Sequence, residues 1–129
     1  MTKILLVDDS MVTRSQLKKR LEQEGHEIVE ASDGQMGEKM MIDHPDCAFV
    51  ILDLHMPGCD GITMVENANK GNICSEAIKI ILTTESNEEA MKRGKEAGIS
   101  SWFSKPLNQE RLDVLVETIN KLLGKKEKL

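Results

Sequence analysis

The sequence predicts an α/β fold in which a parallel sheet is covered by helices on both faces. Short apolar stretches alternate with segments of helical periodicity five times along the 129 residues. Residues 49–52 are apolar without polar alternation, as in a central strand buried on both faces, and Asp53 follows them directly. Reactive groups in such sheets lie at the carboxyl ends of strands, so we expect Asp53 to be the centre of the functional site.

The remaining elements follow from the same pattern in chain order. We expect strands at residues 3–7, 26–31, 49–52, 78–82 and 101–104, with helices at 11–23, from 34 to before Pro45, from 62 to 69, after 86–89, and from Asn108 to about five residues before the C-terminus. The second strand alternates polar and apolar residues and suits a sheet edge. Right-handed crossovers then give the strand order 2-1-3-4-5, a flavodoxin-like doubly wound arrangement with five helices.

Local signals mark several helix ends and faces. Asp9 or Ser10 can cap the first helix, and the spacing from Ser86 to Glu89 fits a capping box before the fourth helix. The second helix carries a methionine stripe that we interpret as core packing, formed by Met36, Met40 and Met41. His26 and His44 are expected to be solvated.

Composition excludes several classes of function. The net charge of −5 argues against non-specific binding to nucleic acid. The three cysteines, Cys47, Cys59 and Cys74, have no Cys-x-x-Cys spacing and are interpreted as reduced thiols, which predicts a cytoplasmic protein. No stretch of the sequence approaches membrane-spanning length.

Charged side chains converge at the carboxyl edge of this predicted sheet. The first and third strands are neighbours, so Asp8 and Asp9 should lie within a few ångströms of Asp53. Three carboxylates this close need cations, and carboxylate oxygens suit Mg²⁺. Lys105 would supply a further positive charge after the fifth strand, and Thr83 a hydroxyl after the fourth. Such a site suits phosphoryl transfer onto Asp53, with Lys105 pairing with its carboxylate and Thr83 binding a phosphoryl oxygen.

These residues resemble the receiver domain of two-component response regulators, and in size the stand-alone chemotaxis type called CheY. The resemblance covers about residues 3 to 123 and includes a set of motifs at matching places: Asp8-Asp9, Asp53, Met56-Pro57, Asp60-Gly61, Thr83 and Lys105-Pro106. It implies a receiver domain at residues 1–124, followed by a short basic tail at 125–129.

The resemblance also implies the mechanism and the partners. A histidine kinase would phosphorylate Asp53, so the protein would be a phosphoacceptor that assists its own chemistry and not an enzyme acting on other substrates. Asp9, Asp53 and the carbonyl of His55 would ligate Mg²⁺, with Asp8 acting largely through water, and Lys105-Pro106 would be a cis peptide. With no effector domain expected to follow, the output would be a change of protein contacts, and the likeness places the surface for a downstream protein on the fourth helix, fifth strand and last helix. We also expect a monomer.

The chain also departs from the family pattern. Trp102 replaces the usual Tyr or Phe, Thr84 replaces a usual Ala or Gly, and His55 and Glu85 occupy positions that in the family tune loss of the phosphoryl group. A pseudo-receiver that never takes phosphate is the main alternative, although it would be expected to lack part of the acidic set or Lys105. An aspartyl-phosphate phosphatase would commonly carry Asp-x-Asp, and an FMN carrier would need a glycine loop after the first strand.

Overall fold

In the computed structural model, five parallel strands form one sheet in the order β2-β1-β3-β4-β5. The structure describes residues 2–127, and for residues 125–127 the backbone alone. The strands are β1 (Lys3–Val7), β2 (Glu27–Ala31), β3 (Phe49–Leu52), β4 (Ile78–Thr83) and β5 (Ile99–Ser104). The helices are α1 (Met11–Gln23), α2 (Gly34–Asp43), α3 (Gly61–Lys70), α4 (Glu88–Glu96) and α5 (Gln109–Glu127). The predicted fold class and strand order are confirmed.

The apolar residues of the central strands form two core layers because alternate side chains point to opposite faces. Leu5 and Val7 pack with α2 and α3 on one face, whereas Ile4 and Leu6 pack with α1 and α5 on the other. Along β3 every residue is buried, as the uninterrupted apolar run predicts. Burial of both faces fixes the strand register and therefore the positions at which the strands end.

Helix ends agree with the sequence pattern in most places. Ser10 caps α1 by accepting a hydrogen bond from the backbone N–H of Thr13, and Asn108 accepts one from the N–H of Arg111 in α5. The predicted capping box at Ser86 is wrong, because Asn87 is the cap of α4 and accepts from the N–H of Ala90. An Asn one residue later can satisfy the same first-turn donors.

Several expectations about single residues are corrected by the fold. His26 is not solvated: it is only 8% exposed, and the turn after α1 brings it back so that its backbone N–H donates to the carbonyl of the buried Leu21 at 3.1 Å. In the methionine stripe, Met41 is fully buried but Met36 is 41% exposed, since it stands in the first turn of α2, beyond the core.

Strand β5 begins two residues earlier than predicted, and α5 continues to Glu127, so its helical backbone passes the predicted domain end at 124. Residues 128 and 129 of the predicted tail lie outside the described residues.

Polar side chains join α4 to α3. The guanidinium of Arg93 contacts Asp60 at 3.2 Å, the Thr63 hydroxyl at 2.7 Å and Glu66 at 2.8 Å. At the C-terminal cap of α4, the side-chain amide of Asn69 donates to the carbonyl of Ala97 at 2.8 Å. Helix α4 is thereby tied to the helix that begins after the Asp53 loop. None of the helices in the described part of the chain combines the length and hydrophobicity needed to cross a bilayer.

Candidate functional site

Two neighbouring strands deliver the acidic side chains to one edge of the sheet. Val7 of β1 pairs with Leu52 of β3, so the next residues in each chain, Asp8 and Asp53, emerge side by side. The N–H of Asp53 donates to the carbonyl of Val7 at 2.9 Å, which extends the sheet pairing to the site itself. Asp8 and Asp53 are 4% and 7% exposed, whereas Asp9 is exposed. Carboxylate oxygens of the three residues lie within 4.8 Å of one another.

The ammonium group of Lys105 lies between the two buried carboxylates. Its Nζ is 2.8 Å from an oxygen of Asp8 and 2.8 Å from an oxygen of Asp53. The backbone N–H of Lys105 donates to the carbonyl of Thr83 at 2.9 Å, and the peptide between Lys105 and Pro106 is cis, as the resemblance implied. The end of β5 thus directs Lys105 back over β4 to the acidic cluster.

The local environment shifts the pKa of two of these groups. Burial raises the pKa of the Asp8 carboxyl, and the hydrogen bonds from Lys105 and the Ser10 N–H offset only part of that effect. Burial also lowers the pKa of the Lys105 ammonium, but its hydrogen bonds to Asp53 and Asp8 outweigh burial, so that its pKa is raised overall. Lys105 therefore stays charged and neutralises one of the three carboxylates.

The donor set fits a hard divalent cation. Three carboxylates and one ammonium leave an excess of negative charge in a small, partly buried volume. Mg²⁺ prefers oxygen ligands and is commonly held by one or two carboxylates, with its other positions left to water or phosphate. The exposure of Asp9 leaves the cluster open on one side.

The loop after Asp53 closes tightly beneath the site. Gly61 begins α3 where a Cβ would overlap the carbonyl oxygen of Asp53, so only glycine fits at this position. Its N–H donates to the carbonyl of Leu54 at 2.9 Å, and the side chain of Asp60 caps the helix. The Asp60-Gly61 pair found in the sequence therefore has a structural task in supporting Asp53.

His55 and Glu85 meet across the outer side of the site. The backbone N–H of His55 donates to Asp53 at 3.3 Å, and its largely exposed imidazole Nε2 lies 3.2 Å from a carboxylate oxygen of Glu85. The hydrogen bond with His55, followed by the bonds from Asn87, lowers the pKa of the Glu85 carboxyl. These two side chains line the approach to Asp53.

The two threonines at the end of β4 differ in burial. Thr83, the last residue of β4, is fully buried, and its hydroxyl accepts a hydrogen bond from the N–H of Glu85 at 3.3 Å. Thr84, the first residue of the following loop, is exposed. The structure thus brings together Asp8, Asp9, Asp53 and Lys105, while Thr83 stands at the end of the neighbouring strand.

Sequence reasoning missed one residue and one contact in this region: it did not single out Arg14, and it named Trp102 without its bond to the loop. Arg14 of α1 donates from Nη1 to the backbone carbonyl of Asp8 at 3.3 Å. The indole N–H of Trp102 donates to the backbone carbonyl of Glu85 at 2.9 Å. Sequence offered a signal for Arg14, since it stands one helical turn after the Ser10 cap, but none for the bond to a specific loop carbonyl.

A groove between α4 and β5 lies beyond this loop. Its volume is about 420 Å³, and Met91, Ile99 and Trp102 form its apolar part. Lys92 and Lys95, both exposed, stand beside it on α4. Trp102 therefore contributes both to the loop that follows Thr83 and to an open surface.

Comparison with known proteins supplies the family. Residues 4–117 match the response regulator receiver domain. The chain is 33% identical to protein PilH of Pseudomonas aeruginosa, covering 96% of this chain and 99% of PilH, and 31% identical to the probable chemotaxis protein CheY of Rhizobium etli, covering 91% of each.

Solved structures agree with these relatives. A CheY-like receiver domain protein from Methanospirillum hungatei superposes with a TM-score of 0.89 at 26% identity, covering 99% of this chain and 98% of that one. A chain of the CheX-CheY-BeF3-Mg²⁺ complex of Borrelia burgdorferi gives 0.82 at 30% identity, covering 94% and 89%. Both the sequence and the backbone thus match this family over nearly the whole chain.

Proposed function

Because this chain belongs to the response regulator receiver domain family, we propose that it is a stand-alone switch that accepts a phosphoryl group on Asp53 from a histidine kinase, with Mg²⁺ required. The observation that carries this proposal is the meeting of three carboxylates with the Lys105 ammonium at one sheet edge. A structural role alone does not explain two buried acids and a third within 4.8 Å of them. The proposed role also fits the CheY complex of Borrelia, which was crystallised with BeF3 and Mg²⁺.

The proposed reaction assigns a role to each residue of the site. An oxygen of Asp53 attacks the phosphorus atom, the bond from phosphorus to the donor nitrogen breaks, and the electron pair stays on that nitrogen. Lys105, already 2.8 Å from Asp53, then pairs with the new phosphoryl group, and the Thr83 hydroxyl binds one of its oxygens. Little covalent chemistry is required of the protein, so positioning and charge neutralisation account for its contribution.

The metal would be held by the acidic edge. Asp9, Asp53 and the backbone carbonyl of His55 would be its direct ligands, with Asp8 acting largely through water. When bound, Mg²⁺ supplies the positive charge that offsets the phosphoryl oxygens. Asp8 and Lys105 keep the carboxylate of Asp53 in place, since Lys105 bridges the two acids.

The output would be a change in protein contacts. We place the downstream partner on α4, β5 and α5, where the groove of Met91, Ile99 and Trp102 is open and flanked by two lysines. Apolar and basic lining together suit a segment that carries both apolar and acidic side chains. The unit at residues 1–124 would act as a monomer in the cytoplasm.

Incubation with acetyl phosphate or a phosphorylated histidine kinase tests the proposal. Intact-mass spectrometry should show one phosphoryl group on the wild-type protein, and Asp53→Asn or an excess of EDTA should abolish it. Asp43→Asn is the matched control, because Asp43 is an exposed carboxylate at the end of α2. Equal labelling of wild type and Asp53→Asn would reject Asp53 as the acceptor, and no labelling of the wild type by any donor would favour the pseudo-receiver.

A further inference from the structure

Arg14 donates a hydrogen bond to the backbone between two of the acidic residues, Asp8 and Asp9. Its Nη1 donates to the carbonyl of Asp8 at 3.3 Å, and its Nε lies 3.6 Å from a carboxylate oxygen of Glu30 on β2 without a hydrogen bond. Only 13% of the Arg14 side chain is exposed. The guanidinium is therefore confined between α1, β2 and the loop that carries the acids.

The carbonyl that Arg14 contacts belongs to the peptide joining Asp8 to Asp9. Because a peptide is planar, the orientation of the Asp8 carbonyl also sets the direction of the Asp9 N–H and the start of the Asp9 backbone. The side chain of Asp8 has its own restraints, since it accepts from the Ser10 N–H at 2.8 Å and from Lys105 at 2.8 Å. Among the side chains that the structure describes, none makes a hydrogen bond or ion pair with the Asp9 carboxylate.

We propose that Arg14 is a positioning residue for the metal site, which orients the exposed Asp9 by holding the Asp8–Asp9 peptide plane. This inference rests on the proposed function, in which Asp9 is a direct ligand of Mg²⁺. Arginine suits the task because its planar fork can face Glu30 and the carbonyl together, whereas a lysine ammonium is a single point charge on a flexible stem. Groups that orient metal ligands typically change metal affinity about 10- to 100-fold when removed.

A purely electrostatic role for Arg14 predicts the opposite result. A guanidinium near an acidic cluster repels a divalent cation, so removing it should tighten Mg²⁺ binding. Positioning predicts that removal weakens binding. The sign of the change in affinity therefore separates the two roles.

The chain offers a matched control on the same helix. Lys18 lies one turn after Arg14 and also pairs with Glu30, at 3.5 Å, but among the described residues its ammonium makes no hydrogen bond or ion pair with Asp8. Lys18→Met removes one positive charge and one ion pair to Glu30, as Arg14→Met does. The Lys18→Met substitution leaves the hydrogen bond from Arg14 to the Asp8 carbonyl intact.

The experiment measures the Mg²⁺ dissociation constant of the full chain by calorimetry at constant ionic strength, for wild type, Arg14→Met, Arg14→Lys and Lys18→Met. We expect the constant to rise about tenfold in both Arg14 variants. We expect it to stay within about twofold of wild type in Lys18→Met, because the contact to Asp8 is intact. Phosphorylation by acetyl phosphate should return to nearly the wild-type rate in the Arg14 variants at saturating Mg²⁺.

Each other outcome overturns the inference. Unchanged or tighter Mg²⁺ binding in the Arg14 variants would leave only an electrostatic or structural role, and slow phosphorylation at saturating Mg²⁺ would exclude positioning of the metal ligand. Thermal unfolding without Mg²⁺ checks that the variants fold, and Arg14→Lys carries the test if Arg14→Met does not. If the wild type binds no Mg²⁺, the proposed metal site fails and this inference fails with it, whereas normal wild-type binding with unaffected variants rejects the inference alone.

Discussion

At the scale of single residues, His26 is the buried polar group without a hydrogen bond at either ring nitrogen, within the part of the chain that the structure describes. Burial lowers the pKa of its imidazole, and the nearby carboxylate of Glu24 offsets only part of that effect. A buried polar group left without a partner costs about 1–3 kcal/mol. His26 therefore reduces the stability of the fold, and an apolar side chain of similar size should fit its place.

We expect His26→Leu to raise the free energy of unfolding by about 1 kcal/mol at pH 7. The advantage should grow as the pH falls below about 6.5, the ordinary pKa of histidine, because the unfolded chain then takes up a proton that the folded chain resists. Wild-type stability should thus decline between that pH and the lower pKa of the folded state, while the variant lacks this part of the decline. Urea unfolding between pH 5 and pH 8 measures both effects.

His44→Leu is the control for this prediction. His44 is partly buried, and its Nδ1 lies 3.3 Å from the ammonium of Lys3, so its ring has a partner. The substitution should bring no gain at pH 7. A stability gain in His44→Leu equal to that in His26→Leu would show that burial of the imidazole is not the cause.

The acidic residues and His26 differ in how far the sequence determines their surroundings. Asp8 and Asp53 could be located because each follows an apolar strand, and parallel neighbours end at one edge. The place of Lys105 could be predicted in the same way, because it follows the fifth strand. The burial of His26 depends on how the turn after α1 folds back onto β2, and Met36 is exposed because α2 begins beyond the core. Periodicity gives the direction of a side chain but not how deep it lies in the core.

At the scale of elements, α4 is joined to α3 by side-chain hydrogen bonds and lies close to β5. Gly94 is buried within it, and a Cβ at this position would lie 3.1 Å from an outer ring atom of Trp102 and 3.5 Å from a side-chain atom of Ile99. Helix propensity alone predicts that Gly94→Ala stabilises the helix, since Gly costs about 1 kcal/mol relative to Ala. The contact with the indole opposes this gain.

We therefore expect Gly94→Ala to change the free energy of unfolding by less than about 0.5 kcal/mol in wild type but to stabilise a Trp102→Phe background by about 1 kcal/mol. Phenylalanine lacks the outer ring of indole that faces Gly94, so the added methyl group has room. Guanidinium unfolding of the four proteins in the cycle measures the coupling. Equal effects of Gly94→Ala in both backgrounds would show that the indole ring does not restrict α4.

Elements were predictable where a long apolar pattern defined them, and less so at their ends. The bounds of β1 and α1 agree with the sequence, because an apolar run and a Ser cap leave little choice. The early start of β5 was not predicted, because Ile99 pairs with Lys79 and the pairing then skips Ser100, so that the next pair is Ile80 with Ser101. Such irregularities depend on the neighbouring strand and leave no local mark in the sequence.

At the scale of the whole molecule, hydrogen bonds lead from Thr83, beside the proposed phosphoryl site, to the groove between α4 and β5. The Thr83 hydroxyl accepts from the N–H of Glu85, and the carbonyl of Glu85 accepts from the indole N–H of Trp102. The ring of Trp102 in turn lines the groove and faces Gly94. A displacement of Thr83 toward a phosphoryl group at Asp53 would therefore disturb the loop to which Trp102 is bonded.

We expect the emission of Trp102 to report occupancy of Asp53. The chain has one Trp and no Tyr, so the fluorescence arises almost entirely from this site. Beryllofluoride with Mg²⁺ should change the intensity or wavelength in wild type, and Asp53→Asn should abolish the response. Thr83→Ala should weaken it, because the hydroxyl that connects the two sites is gone. The change should be partial, since the indole N–H is already bonded to the Glu85 carbonyl at 2.9 Å and the ring leaves little space beside Gly94, where a Cβ would lie 3.1 Å from it. If emission and quencher access stay constant while Asp53 is demonstrably occupied, Trp102 only supports the edge of the sheet. Occupancy of Asp53 would then reach the proposed partner surface through other contacts, such as the hydrogen bonds of Arg93 between α3 and α4.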